Sequence, residues 1–349
     1  MDMNNYYTQK NERKIITKRN VLLFVCGLFI LLVIAVGLIG SYIHAAIYNP
    51  MSKSDQAVKF TVTKGEGTRE IGEELEKQKL IRSSIIFLGY LKLKDKGAQI
   101  QVGDYAFKKN MTMAQIMGML TRGDVITTKI TVPEGWTDKQ IGDALIAKGI
   151  TTKDDFQKAL ADKYDYGFLQ ESPDGDLQGF LFPDTYLLAS HPTAKEAIMK
   201  MLDEFKIKVD PKIKAKLSGQ SLSYYQVLTL ASIVEREVQT SSDKNVVAGI
   251  FLNRLANDMP LDSDATIQYI LGGNKRIFSD QDIAVDSPYN TYTNKGLPPG
   301  PIANPGLDSI EAVLNPTKTD YFYFFTGKDG KTYFSKTAEE HEAKKAKYL

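Results

Sequence analysis

Apolar and polar positions divide the chain into three regimes. Every residue from Val21 to Gly40 is nonpolar, and no formal charge occurs between Arg19 and Lys53. About 20 apolar residues cross the bilayer hydrocarbon as a helix, so the stretch from Val21 to Ile43 predicts one membrane span. The second regime opens on a repeat: KFTVTKG at 59–65 aligns without gaps to KITVPEG at 129–135. The same offset of 70 pairs Ile71 with Ile141, Gly72 with Gly142 and Leu75 with Leu145. Each copy predicts a short strand, a glycine turn and an amphipathic helix. The first copy continues through a helix over 85–93, a strand around 99–107 and a helix over 113–121, a βααβα-like unit.

The second copy opens the third regime. A helix is expected over 155–163, a loop over 164–175, an aromatic-rich stretch over 177–186 broken by Pro183, and a helix over 194–206. Ser223 and Gln226 match the S-x-x-Q capping box and should start the most apolar helix of this half. A polar break over 239–243 separates it from a helix over 245–257, which stops before Pro260. Strands over 321–326 and 331–335 flank Lys328-Asp329-Gly330 as a hairpin, and a charged helix runs on from Thr337. Strands and helices without regular βαβ alternation predict an α+β fold. The expected organisation is a basic tail over 1–20, a transmembrane helix over 21–43, a linker over 44–56, the LysM-like module over 57–127 and a larger α+β catalytic domain over 128–349.

Charge sets the direction of the span. Lys10, Arg13, Lys14, Lys18 and Arg19 precede it, against only Asp2 and Glu12. By the positive-inside rule the N-terminus stays in the cytoplasm and the body from about Asn49 is extracytoplasmic. The apolar core is too long for a cleaved signal peptide, and no clean small-x-small site follows it. Over all 349 residues the net charge is only +2, which implies no attraction to nucleic acid. The single cysteine, Cys26, lies inside the span, so the exported part has no disulfide, thiol nucleophile or Cys-rich metal site. His44, His191 and His341 are scattered without metal-ligand spacing. No metal or cofactor is expected, and carboxylate chemistry remains.

The run LTLASIVEREV at 228–238 places Glu235 and Glu237 at the end of a nearly uncharged helix. A carboxyl in apolar surroundings resists ionisation and can serve as a general acid. Two residues apart on a helix, the pair points about 200° apart and cannot form one dyad. Periodicity does not choose between them, and an ordinary helix end reaching solvent has the same spacing. On the next helix Asn253 and Arg254 both project toward an apolar stripe, so each needs a polar partner; a salt bridge between helices would serve as well as a ligand. Asp264 stands before an apolar helix start, where an N-cap is the simpler role. The segment 287–306 is rich in Pro and Gly, which hold a long loop to one path, and Tyr289, Asn290 and Tyr292 within it offer hydroxyl, amide and ring surfaces suited to an amide-bearing sugar polymer.

Together these segments resemble the YceG-like, MltG-type endolytic murein transglycosylase family. The matching motifs are LFPDTY at 181–186, ASIVE-x-E at 231–237, F-x-NRL at 251–255, D-x-T-x-x-Y at 264–269, YNTY at 289–292, GLPPGPI at 296–302 and N-P-G at 304–306. The resemblance implies cleavage of the β-1,4 bond between N-acetylmuramic acid and N-acetylglucosamine inside peptidoglycan strands, leaving 1,6-anhydro ends. It places the catalytic acid on Glu235, the first Glu of E-x-E. Substrate contacts are then expected from Gln178, Tyr186, Glu237, Asn253, Arg254, Asp264, Thr266, Tyr289, Asn290 and Tyr292. Gln178 departs from the family, where Glu often precedes the G-F-L-F-P-D segment. Peptidoglycan synthases or division proteins are the implied neighbours at the bacterial cell membrane. A non-catalytic wall-binding scaffold and a hydrolytic muramidase are the competing readings.

Overall fold

A computed structural model describes residues 3–349 apart from 95, 97, 98, 191, 220, 274 and 276, with the backbone alone for residues 3–17 and 174. His191 and the side chains of Lys10, Arg13 and Lys14 thus lie outside the described residues. The chain divides into two compact units, Met1–Thr127 and Thr128–Leu349.

The first unit begins with helix α1 (Met3–Tyr48), whose portion Lys18–Tyr48 is long and apolar enough to cross a membrane. The helix continues past Ile43, where a linker was expected. Ala46 and Ile47 are buried, and Ile47 joins the core of the module that follows. Strand β1 (Ala57–Val62) leads to helices α2 (Thr68–Lys77) and α3 (Ser84–Leu93), strand β2 (Gly103–Lys108) and helix α4 (Met113–Arg122). The order βααβα is the expected one, with β2 starting later than its pattern suggested. β1 and β2 pair antiparallel from Ala57 opposite Lys108 to Val62 opposite Gly103. Alternation along both strands sends Phe60, Val62, Tyr105 and Phe107 into one core with Leu75, Phe87 and Leu120.

The second unit repeats the opening. Strand β3 (Thr127–Thr131) precedes helices α5 (Asp138–Ala147) and α6 (Lys153–Leu160), and β3 pairs with β4 (Thr185–Ala189). The two copies share a packing device. A Cβ on Gly72 would meet the Phe87 ring at 3.0 Å, and one on Gly142 would meet the Phe156 ring at 2.5 Å. Each glycine lets the next helix lay an aromatic ring against its own helix.

Helices α7 (Ala194–Lys208), α8 (Asp210–Leu217), α9 (Tyr224–Glu237), α10 (Ser241–Ala256), α11 (Asp264–Leu271), α12 (Asp280–Ile283) and α13 (Leu307–Leu314) follow. The hairpin β5 (Tyr323–Thr326) and β6 (Thr332–Ser335) and helix α14 (Ala338–Tyr348) end the chain. Helix α9 starts at the expected capping box: the Ser223 side chain accepts from Gln226 N while the Gln226 side chain reaches back to the cap. Val227 through Val234 are all buried, so α9 is the central helix. Fully buried Leu, Ile or Val side chains contribute about 1.5–3 kcal/mol each. Helices α8 and α13 were not legible in the pattern. Helix α13 begins directly after the Pro/Gly-rich segment, and its Ile310, Val313 and Leu314 complete the packing around α9 and α10.

One buried amide ties the loops of this unit together. Asn304 Oδ1 accepts from Gly179 N and Leu181 N, both at 2.9 Å, while its Nδ2 donates to Trp136 O at 3.0 Å and Asp138 Oδ1 at 2.8 Å. All four of its hydrogen-bonding positions are used, by two segments far from it in sequence. Replacing Asn304 by Ala should therefore cost about 3 kcal/mol or more, since each orphaned buried group costs roughly 1–3 kcal/mol. Urea unfolding of the variant tests this; an unchanged midpoint would remove Asn304 from the role.

Candidate active site

The C-terminal turn of α9 sends its two glutamates to different places. Glu235 turns inward. Lys244 Nζ on α10 lies 3.1 and 3.2 Å from its two carboxylate oxygens, and Ser309 Oγ and Gly306 N donate to Oε2 at 2.6 and 2.9 Å. Both ends of this ion pair are buried. The sequence expectation of an uncharged setting for Glu235 is corrected here: its desolvation is offset by a cation and by donors from the start of α13. Burial and the neighbouring Glu235 hold the Glu134 carboxyl above its ordinary pKa.

Glu237 turns the other way, onto the wall of a cavity of about 790 Å³, inside the 300–1,000 Å³ range common for ligand sites. Its Oε1 accepts from Ser263 Oγ, just before α11. Burial pushes its pKa up to about 7, against the opposing pull of the Ser263 hydrogen bond. The residue is partly exposed and lines the cavity. Arg254, Asp262, Asp264 and Tyr292 share the wall. Arg254 is fixed in place: Nε donates to Phe322 O at 2.7 Å, Nη1 donates to Leu261 O at 2.9 Å and Asp262 Oδ2 at 3.0 Å, and the guanidinium lies 5.3 Å from the Tyr323 ring centre. Tyr292 donates to Asp264 Oδ1 at 2.7 Å. Asp264 is the first residue of α11, and Ser263 occupies the cap position expected for it.

The other expected contacts are elsewhere. Tyr186 is a core residue whose hydroxyl donates to Phe182 O. Asn253 Nδ2 donates to Thr319 O and Tyr321 O, clipping the hairpin's entry to α10. Thr266 is buried against Ser263 O and Thr291. Asn290 is fully buried, donating to Ile283 O and Val285 O and accepting from Tyr292 N, so it shapes the loop that presents Tyr292. Tyr289 packs on Tyr269 with ring centres 5.0 Å apart. Gln178 lines a second, smaller cavity. Apart from Gln178 Nε2, which has no partner among the described residues, these polar groups have protein partners.

Sequence reasoning missed the contribution of the C-terminal hairpin and α14. Phe324, Phe325 and His341 line the cavity of Glu237. His341 Nδ1 is buried and has no partner among the described residues, and burial lowers the ring's pKa, favouring the neutral form. Only the aromatic density of YFYFF at 321–325 hinted at such a wall. Among the described residues no group of three or more His, Cys, Asp or Glu could hold a metal ion. The arrangement is a polar cleft with one carboxyl poised to give up a proton near neutral pH.

Comparison with known proteins agrees with this architecture. The chain is 34% identical over 329 residues to an endolytic murein transglycosylase of Bacillus subtilis, covering 89% of this chain and 90% of that protein. It is 31% identical over 354 residues to one from Streptococcus pneumoniae, covering 92% of this chain and 64% of that longer protein. A crystal structure of a yceG-like protein from Listeria monocytogenes superposes with a TM-score of 0.56 at 34% identity, over 83% of this chain and 99% of that one. Residues 60–347 match the YceG-like family, and the chain belongs to it.

Proposed function

We propose that this protein is a membrane-anchored endolytic lytic transglycosylase, acting on the β-1,4 bond between N-acetylmuramic acid and N-acetylglucosamine within peptidoglycan strands. The observation that carries the reading is the Glu237 carboxyl, raised to about 7 on the wall of a sugar-sized cleft. The murein transglycosylase names of the relatives supply the substrate class. Helix α1 holds the enzyme at the membrane with its body on the extracytoplasmic face, where the polymer lies.

The role that the family resemblance assigned to Glu235 passes, in this reading, to Glu237. Glu235 is held by Lys244 and does not line the cleft, whereas Glu237 does. Protonated Glu237 donates to the glycosidic oxygen as the bond to the muramic C1 breaks. The resulting carboxylate then takes the proton of the C6 hydroxyl while O6 closes on C1. The proton count balances and no water is consumed, so a second carboxylate at glycosidase spacing is unnecessary. Arg254, Asp264 and Tyr292 orient the sugar; His341, being neutral, offers a hydrogen bond without adding charge.

The two glutamates are separable by experiment. Glu237→Gln should retain the fold and lose anhydro-ended products by at least about 10²-fold, the lower range for a general acid. Glu235→Gln should instead cost about 3–5 kcal/mol of stability, because it strands Lys244 as a buried unpaired charge. Mass spectrometry of digested glycan strands together with denaturant unfolding reads both. Anhydro ends released by Glu237→Gln would return the role to Glu235, and ends heavier by one water would make the enzyme a hydrolase.

The pH profile follows from the same carboxyl. The acid form dominates below its pKa, so kcat/KM should fall as pH rises through about 7. Ser263 stabilises the carboxylate, so Ser263→Ala should move that falling limb to higher pH. A limb that stays in place or moves downward would separate Glu237 from the titration.

A further inference from the structure

A second cavity, of about 410 Å³, lies one helical turn along α11 from the first. Asp264 faces the cleft of Glu237, and Gln268, four residues on, faces the second cavity. Four residues of helix rise about 6 Å, of the order of one sugar ring. Arg236, which stands between the two glutamates of α9, lines this second cavity. The two sites are thus neighbours along α11, and a polymer entering one can reach the other.

The second cavity is short of acceptors. Three glutamines line it, and each spends its carbonyl oxygen on the protein. Gln178 Oε1 accepts from Asp138 N at 3.2 Å, Gln140 Oε1 from Thr137 N at 2.9 Å, and Gln268 Oε1 from Arg236 at 2.7 Å. What remains on those side chains is N–H. Gln178 is nearly fully buried, yet its Nε2 has no partner among the described residues. Gln268 Nε2 reaches only Lys275 O, at 3.5 Å. Arg236 is half-covered, and its one recorded hydrogen bond goes to a neutral amide; no ion pair with a carboxylate is formed among the described residues. A buried donor without an acceptor costs about 1–3 kcal/mol, and an unpaired guanidinium favours a ligand that carries charge.

We propose that this cavity is a subsite for an acyl oxygen of the sugar beside the cleaved bond, held by Arg236 and Gln178. The chemistry is shared by the acetamido group of either sugar and by the lactyl carboxyl of muramic acid, and the guanidinium selects the lactyl branch. The proposal rests on the glycan reading of the neighbouring cleft, and its test needs no catalysis. Full-length protein in detergent is titrated with N-acetylmuramic acid and, separately, with N-acetylglucosamine, followed by ligand-observed NMR. The single tryptophan, Trp136, adjoins Thr137 of the cavity wall and gives a second signal by fluorescence. N-acetylmuramic acid should bind, Arg236→Gln should weaken it at least tenfold, and Arg236→Lys should recover part of the loss, while the weaker N-acetylglucosamine signal stays unchanged. The readout is binding alone, so a failed catalytic assignment of Glu237 would not disturb the result. Equal affinity for the two sugars assigns the cavity to the acetamido group and overturns the lactyl selection. Absence of N-acetylmuramic acid binding, or indifference to Arg236→Gln, overturns the subsite.

Discussion

A carboxylate taken out of water must be met by charge and donors, and at Glu235 that requirement organises the unit that carries the cleft. Lys244 comes from α10, Ser309 from α13 and Gly306 from the turn before it, so three segments converge on one side chain. The turn leaves no room for more: a Cβ on Gly306 would fall 2.0 Å from Glu134 Oε1. With Glu235 held inward, helical geometry sends Glu237 about 200° away, to the cavity. The glutamate held inward therefore aims the one on the cavity wall. Breaking a buried pair of this kind is costly because one charge is left behind, and both partners here are almost entirely covered.

The same logic of satisfied buried polarity runs through the loops around the cleft. Asn304 joins the segments at Trp136, Gly179 and Leu181, and Asn290 holds the turn that presents Tyr292. Close packing adds to this. Gly179, at φ +95°, would place a Cβ 2.6 Å from Pro301, and Gly300 would place one 2.4 Å from the Tyr225 hydroxyl. A long segment with no helix or strand of its own between α12 and α13 is thereby held to one path. Pre-organisation of that kind reduces the ordering cost of binding.

The two carboxyls meet burial with different partners. Glu237 has a serine and a backbone amide as donors, and burial still raises it to about 7. Glu235 has a lysine. Arg254 could have neutralised Glu237 had it pointed there, but its guanidinium is committed to Asp262, to three backbone carbonyls and to the Tyr323 ring. The cation stays on the cavity wall, where its charge opposes the upward push of burial on Glu237 without cancelling it.

Period-based features were legible in the chain itself. The membrane-length apolar helix, the βαα repeat with its glycine against a phenylalanine, the capped start of α9 and the closing hairpin all follow from local spacing, because each is set by neighbours within a turn or two. Which of two glutamates faces the cleft, by contrast, depends on Lys244, Ser309 and Ser263, and no periodicity of α9 encodes where α10, α13 and α11 bring those partners. Asn253 and Arg254 are limited in the same way: a polar residue on an apolar stripe announces that it needs a partner without saying whether that partner is protein or substrate. The aromatic wall from the hairpin and His341, and the donor-rich cavity beside Arg236, exist only once segments more than a hundred residues apart are packed together. Burial and pairing across such distances are properties of the folded molecule, and they decided the chemistry of the site.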